Sequence, residues 1–327
     1  MGTVVGCAFK ELNKDLKVIS KASEISGSVI NAQSSNKPVI VVLFRMDPAN
    51  GEGTVTQYLA VYGDSKFKFI VAEGEFRLFA FEDANQDLAF QHNEHVGWYG
   101  DPTSIKARNG VNLKGLDIRL KDPSKAKAKL PDLFSPKTQN YKLHMKDYHL
   151  GEVVSLDAPR FAAQIGEKGL WTPVSYLSQE GLGIFFMEPY SPEKTPVLFI
   201  HGAGGYPQEW KYLLEHLNKE KYQAWVFQYS SGMRLDWIAE TLEMGLRSLQ
   251  VKYKFKKLYI VAHSMGGLVA KQFANIYQGD YVKLLITIST PWGGHSAAQM
   301  GVAHAPAIIP SWYDMVPGSP GLILFLV

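Results

Sequence analysis

The sequence predicts two folded regions in series: a small antiparallel β-sandwich, followed by a larger α/β domain built on a doubly wound parallel sheet. Three observations carry this reading. Between Pro38 and Leu120, β-branched and aromatic residues alternate with period two in short runs cut by Gly and Asp. From Val197 onward, continuous apolar runs of strand length alternate with runs of helical spacing. The chain of 327 residues is 46% hydrophobic and 12% aromatic, enough to bury two cores and too apolar for disorder.

The first element is residues 1–30, read as an anchor and tether. Cys7 is the single cysteine, which excludes an internal disulfide framework and a cysteine-based zinc cluster. Val4-Val5-Gly6 before it resembles a bacterial lipobox, and Ala8–Ser28 reads as a polar tether. That resemblance implies a lipid anchor at Cys7 and a cell-envelope location, as a membrane-anchored lipoprotein or a periplasmic or secreted protein. The plain alternative is an idle or buried thiol. No apolar run approaches the roughly 18 residues a spanning helix needs.

Residues 31–120 form the expected β-sandwich. Pro38–Phe44, Val55–Tyr62, Phe67–Val71 and Phe76–Phe81 read as its strands, with Leu116–Leu120 as the last. The run Phe79–Asn85 resembles the transthyretin-like and carboxypeptidase-regulatory-like accessory modules. Asp83, Asn85, Asp87 and Glu94 fall at offsets 1, 3, 5 and 12, the oxygen-ligand spacing of a calcium loop. Leu88 stands where the sharp turn of such a loop calls for glycine, so a solvated acidic turn is the expected structure. His92 and His95 flank Glu94 as surface-loop histidines. No metal and no cofactor are expected.

Residues 121–150 read as a basic linker. Lys114–Asp147 holds nine Lys and Arg against four Asp, and Lys125, Lys127 and Lys129 lie between Pro123 and Pro131. A solvated, proline-punctuated connection accounts for this. With a lipid anchor at Cys7, the same charges would favour an anionic membrane surface. The whole chain carries a net charge of only +3 and has no basic patch interleaved with aromatics, so nucleic acid is not an expected partner.

Residues 151–327 carry the chemistry. Val197–Ile200 is an apolar strand that stops at His201-Gly202-Ala203-Gly204-Gly205. Pro207–Leu217 has helical spacing, Tyr222–Tyr229 is strand-like, and Leu235 to Leu249 forms a long amphipathic helix. Lys257–Ala262 is a strand, Gly267–Tyr277 a helix, and Val282–Ile288 a further buried strand. Between the strand ending at Ala262 and the following helix stands His263-Ser264-Met265-Gly266. Small residues two before and two after a serine let strand and helix approach, and the tight turn presents the serine hydroxyl above the sheet. Helix amides then point at the position where an oxyanion would develop. Ala203 and Met265 are the expected backbone donors. A phosphate-binding loop is excluded by the missing Gly-Lys-Ser/Thr, and a dinucleotide fingerprint by the missing third glycine.

Jointly, Pro196–Gly205, Tyr229–Gly232, Val261–Leu268, Ser289–His295 and Asp314–Ser319 resemble the α/β-hydrolases of the bacterial lipase and esterase type, including membrane-lipoprotein hydrolases with an accessory N-terminal domain. The resemblance implies acyl transfer to water: Ser264 attacks a carboxylic ester, a histidine takes its proton, and an acid orients that histidine. Ester or lipid substrates follow. His201, Gly202, His263 and Gly266 support the motif. The family order is serine, acid, histidine, but the acids after Ser264 are Asp280 and Asp314, and the histidines are His295 and His304. No triad is assigned on this pattern; His295 is the nearest stand-in. The α/β-hydrolase sheet is therefore expected to be incomplete, stopping before the strands that carry acid and histidine. Met300, Trp312, Tyr313 and Met315 floor an acyl pocket or belong to ordinary core. A second reading is a non-catalytic protein that keeps the hydrolase scaffold to bind lipid or a partner.

Overall fold

In a computed structural model, residues 2–30, 37–62, 66–100, 103–122, 141–142, 148–277 and 279–323 are described. They run α1 (Gly2–Ile19), β1 (Ser23–Ile30), β2 (Pro38–Met46), β3 (Gly53–Tyr62), β4 (Lys66–Val71), β5 (Gly74–Glu82), β6 (Ala89–Phe90), β7 (Val96–Trp98), β8 (Ile105–Ala107), β9 (Ile118–Arg119) and β10 (Tyr141–Lys142). There follow β11 (Tyr148–Val153), α2 (Ala163–Trp171), α3 (Pro173–Gln179), β12 (Leu182–Phe186), β13 (Thr195–Ile200), α4 (Lys211–Glu215), β14 (Tyr222–Gln228), α5 (Leu235–Tyr253), β15 (Leu258–His263), α6 (Met265–Ile276), β16 (Val282–Ile288), α7 (Ser296–His304), α8 (Pro310–Met315) and α9 (Pro320–Ile323). Two compact units result. Lys17–Lys146 forms one; Met1–Leu16 joins Asp147–Val327 in the other.

The first unit is mainly antiparallel, as its alternating pattern requires. One sheet has the order β3-β2-β5-β7, with β8 also on β5; a second has the order β4-β1-β9. β2 is buried along its length except at Arg45, the mark of a central strand covered on both faces. Phe79 packs on Trp98 and Phe90, with ring centroids 4.8 and 5.6 Å apart. β6 pairs with β10.

Two expectations are corrected here. Ala8–Ser28 is not a polar tether: α1 and β1 fill it, because Leu12, Ile25 and Val29 are fully buried and β1 pairs residue for residue with β4. The acidic turn is solvated only in part: Asn85 and Asp87 are exposed, but Asp83 and Glu94 are not. Asp83 accepts from the Asp87 and Leu88 amides at 3.1 and 2.9 Å, and Glu94 from the Ala84 and Gln91 amides at 2.9 and 2.8 Å. Both carboxylates are buried and spent on backbone donors, and no group of three metal-ligating side chains forms among the described residues. Burial lifts the Glu94 carboxyl to about 7. The linker lysines Lys125, Lys127 and Lys129 lie outside the described residues.

The second unit holds a six-stranded sheet in the order β11-β12-β14-β13-β15-β16. β13, β14, β15 and β16 are mutually parallel, while β12 runs antiparallel to β14. Strand alternation divides the core. Leu198 and Ile200 face Leu242, Leu246, Leu268 and Val269 of α5 and α6; Val197 and Phe199 face Trp210 and Leu214. Val282–Ile288 departs from the expected buried strand. β16 is the outermost described strand, and Leu284, Ile286 and Ile288 remain exposed on one face.

The start of α1 belongs to this unit. Leu12 is buried with Ala307 and Ile309, and Phe9 meets Trp171 edge-on at 5.5 Å. Buried Asp15 accepts from the Val174 and Ser175 amides at 2.8 and 3.0 Å and from the Ser175 hydroxyl at 2.8 Å. These amides open the first turn of α3, so a carboxylate from α1 caps a helix whose own Thr172 supplies no side-chain cap.

Candidate active site

Parallel strands place their carboxyl ends along one rim of the sheet, and two adjacent ends build the site. β15 turns sharply into α6 at Ser264, whose backbone stands at φ 50° and ψ −125°. A side-chain-bearing residue rarely adopts that geometry, and it stores strain of about 1–3 kcal/mol. The Ser264 amide is tied to the Ile288 carbonyl at 2.8 Å. The turn is possible because Gly266 has no side chain: a methyl group there would meet the Ile200 carbonyl at 2.6 Å and the His201 carbonyl still closer. α6 thereby starts hard against the end of β13, and Ser264 sits at its N-terminus. No described residue hydrogen-bonds the Ser264 hydroxyl.

The adjoining loop comes from β13. Gly202 lies against the serine; a methyl group on it would stand 2.9 Å from Ser264 Cβ and 3.4 Å from Oγ. The Gly204 amide donates to the Ser231 hydroxyl at 2.9 Å, and the Gly205 amide to the Gly202 carbonyl at 3.1 Å. Ala203 is exposed between these anchors. Neither its amide nor that of Met265, the first residue of α6, has an acceptor among the described residues.

His201 supports the loop and is not poised for proton transfer. It is buried and stacks on Tyr229, with ring centroids 4.2 Å apart. Its Nδ1 donates to the Gly202 carbonyl at 2.9 Å, and the Tyr229 hydroxyl donates to the His201 carbonyl at 2.5 Å. Desolvation pushes its pKa down to about 4, so the ring is neutral at neutral pH.

The structure gives the other sequence candidates different work. His295 is the N-cap of α7: its Nδ1 accepts from the Ala297 amide at 3.1 Å. That fixes the neutral ring with its proton on Nε2, opposite to a triad histidine, which receives the serine proton there. Asp314 pairs with Arg234 through contacts of 2.6–3.0 Å and caps α5 at the Leu235 amide, 2.9 Å away. It is therefore a structural ion pair. Met315 is buried and Trp312 packs on Trp171 at 6.0 Å, whereas Met300 and Tyr313 are exposed. The group does not form one pocket floor. Cys7 falls within α1. An open groove of about 540 Å³, lined by Leu156, Met187, Leu214 and Tyr222, lies at the opposite rim of the sheet from Ser264.

Sequence reasoning missed Ser231 as the anchor of Gly204 and Glu209 as the partner of His263, whose Nδ1 stands 3.6 Å from Glu209 Oε1. The Tyr-Ser-Ser-Gly run after β14 signalled the first. Nothing in the spacing signalled the second.

Residues 195–317 match the family model described as the α/β hydrolase fold. The chain is 27% identical over 118 residues to protein phosphatase methylesterase 1 of Candida albicans, spanning 33% of this chain and about a third, 33%, of that relative's length. Among solved structures, the mature lipase BlEst2 of Bacillus licheniformis matches 40% of this chain and 60% of its own, at 22% identity and a TM-score of 0.35. The esterase EaEST of Exiguobacterium antarcticum matches 36% of this chain and 46% of its own, at 18% identity and a TM-score of 0.29. The strand order, the strained serine turn and the match over residues 195–317 show the α/β-hydrolase fold in this part of the chain.

Proposed function

We propose that this chain is a serine hydrolase of carboxylic esters, with Ser264 as nucleophile. The observation that carries the reading is the Ser264 backbone, held at φ 50° between β15 and α6 with Gly202 packed against it. In the proposed reaction Ser264 Oγ attacks the ester carbonyl carbon. The carbonyl oxygen becomes an oxyanion that accepts from the Ala203 and Met265 amides, at the positive end of α6. Collapse expels the alcohol and leaves an acyl-enzyme, which water hydrolyses. The reaction also requires a group that accepts the serine proton and delivers it to the departing alcohol. Because no described side chain hydrogen-bonds Ser264 Oγ, a second reading is favoured by a specific observation: a scaffold that binds lipid or a partner without turnover.

A fluorophosphonate probe separates them. Labelling that disappears in Ser264→Ala supports the hydrolase; a wild-type chain that takes no label supports the scaffold. The membrane reading is a separate proposal resting on Val4-Val5-Gly6-Cys7. Palmitate incorporation lost in Cys7→Ala would support an envelope anchor, and incorporation unaffected by that change would remove it.

A further inference from the structure

Glu209 has no part in the reaction just proposed, yet it stands between the two segments that build the site. It lies on the 3-10 turn Pro207–Trp210, which continues the Gly202–Gly205 loop. Its Oε2 covers Gly205, where a methyl group would approach to 2.9 Å, and is 3.5 Å from the Tyr206 amide. Its Oε1 is shut off from solvent and has no hydrogen-bond donor among the described residues. What it faces is His263 Nδ1 at 3.6 Å. His263 ends β15 and immediately precedes Ser264. Its ring meets Trp210 edge-on at 6.3 Å, and Trp210 packs in turn on Phe199 of β13.

A largely buried carboxylate with an oxygen lacking a donor is a poor choice for stability, because ionisation in a desolvated position is costly. Burial is the main influence on this carboxyl and raises its pKa; the opposing pull of His263 is smaller. Among the described residues, the titratable groups that interact with the pair are Tyr229, from the end of β14, and His201. A glutamine would fill the same space without the ionisation cost. What it could not supply is the electrostatic tie to His263.

We infer that Glu209 is a positioning residue for Ser264: its contact with His263 fixes the spacing between the β13 loop, which carries the Ala203 amide, and the β15 turn, which carries Ser264 and the Met265 amide. The inference rests on the proposed serine chemistry. Oxyanion donors act only when held in place before reaction, and removing one outright costs roughly 100- to 1,000-fold. Loosening the loop that carries one is expected to cost roughly 10- to 100-fold.

The test compares the full-length wild type with Glu209→Gln, Glu209→Asp and His263→Gln. Three quantities are read: the rate constant and concentration dependence of fluorophosphonate labelling, the thermal midpoint, and hydrogen exchange at the amides of residues 203–206. The expected result in Glu209→Gln is labelling slowed roughly 10- to 100-fold, an unchanged half-saturating probe concentration, a midpoint equal to or above wild type, and faster loop exchange. His263→Gln is expected to match it, with no further loss in the double variant. Glu209→Asp is expected to recover part of the rate. Wild-type labelling rates in folded Glu209→Gln overturn the inference and leave the hydrolase reading standing. A wild type that takes no label removes the hydrolase reading, and loop exchange then decides the tie: unchanged exchange in Glu209→Gln and His263→Gln overturns it.

Discussion

Replacing Ser264 by glycine is expected to leave the α/β unit more stable than replacing it by alanine. Both changes remove the hydroxyl, but only glycine removes Cβ, and it is Cβ that makes φ 50°, ψ −125° unfavourable. The strain at such a residue is about 1–3 kcal/mol. Against this, glycine gives the unfolded chain extra freedom worth roughly 0.4–1 kcal/mol. The difference leaves glycine ahead by about 1 kcal/mol. For a unit of this size that corresponds to roughly 2–4 °C in thermal midpoint. Differential scanning calorimetry of the two variants measures the gap directly, with neither able to take a fluorophosphonate label. A glycine variant that melts at or below the alanine variant would refute the claim that the turn stores strain at Ser264.

Three further outcomes follow from the packing. Gly202→Ala places a methyl group 2.9 Å from Ser264 Cβ; the chain is expected to fold but to label at Ser264 about 100-fold more slowly, and wild-type labelling would show that the loop can yield. Asp15→Ala removes three hydrogen bonds from the start of α3 and is expected to cost about 2 kcal/mol in urea unfolding; an unshifted midpoint would mean that α1 is held in place by the packing of Leu12 and Phe9 alone. Glu94 makes the β unit sensitive to pH. Its carboxyl rises from 4.5 to about 7 on folding, so the folded state holds the proton more tightly. That contribution is whole below pH 4.5 and is lost as pH rises through 7. Melting of the β unit at pH 5 and pH 8 is expected to differ by on the order of 2–3 kcal/mol in favour of pH 5, and to flatten in Glu94→Gln.

The central sheet of the α/β unit was legible because its strands are covered on both faces. Val197–Ile200 and Leu258–Ala262 read as unbroken apolar runs, and a run that stops at glycine or serine marks a strand end with a turn. The site was legible to the same extent: Gly202, Ser264 and Gly266 are fixed by close approach of backbones, which restricts residue type. Elements held by long-range contacts were not. α1 has charged residues at Lys10, Glu11, Lys14, Asp15 and Lys17 and reads locally as tether; it is a helix because Leu12 meets Ile309 and Asp15 meets Ser175, far along the sequence. α2 and α3 were missed as well, and so were β11 and β12, although β12 is a buried apolar run of the legible kind. β16 erred in the other direction: an apolar run signals burial, but an outermost strand leaves alternate residues exposed. The roles of His295 and Asp314 were hidden because helix capping depends on where a neighbouring amide lies, and the single-letter pattern around each is that of any polar loop residue.

The attachment of α1 also sets an order of events in synthesis. Residues up to Leu16 pack with Asp147–Val327, so the whole β unit is interposed between two parts of one folded body. Asp15 emerges from the ribosome 160 residues ahead of Ser175. At roughly 5–20 residues per second, that is a wait of about 8–32 s. The β unit can complete its sheets in that interval, since their strands pair with one another. The exposed apolar side of α1 meanwhile has no partner, and closing so long a loop carries an entropic cost that grows with the logarithm of its length. A chain whose larger body is assembled from both sides of an inserted segment is most vulnerable to misassembly during that wait, before Ser264 is made.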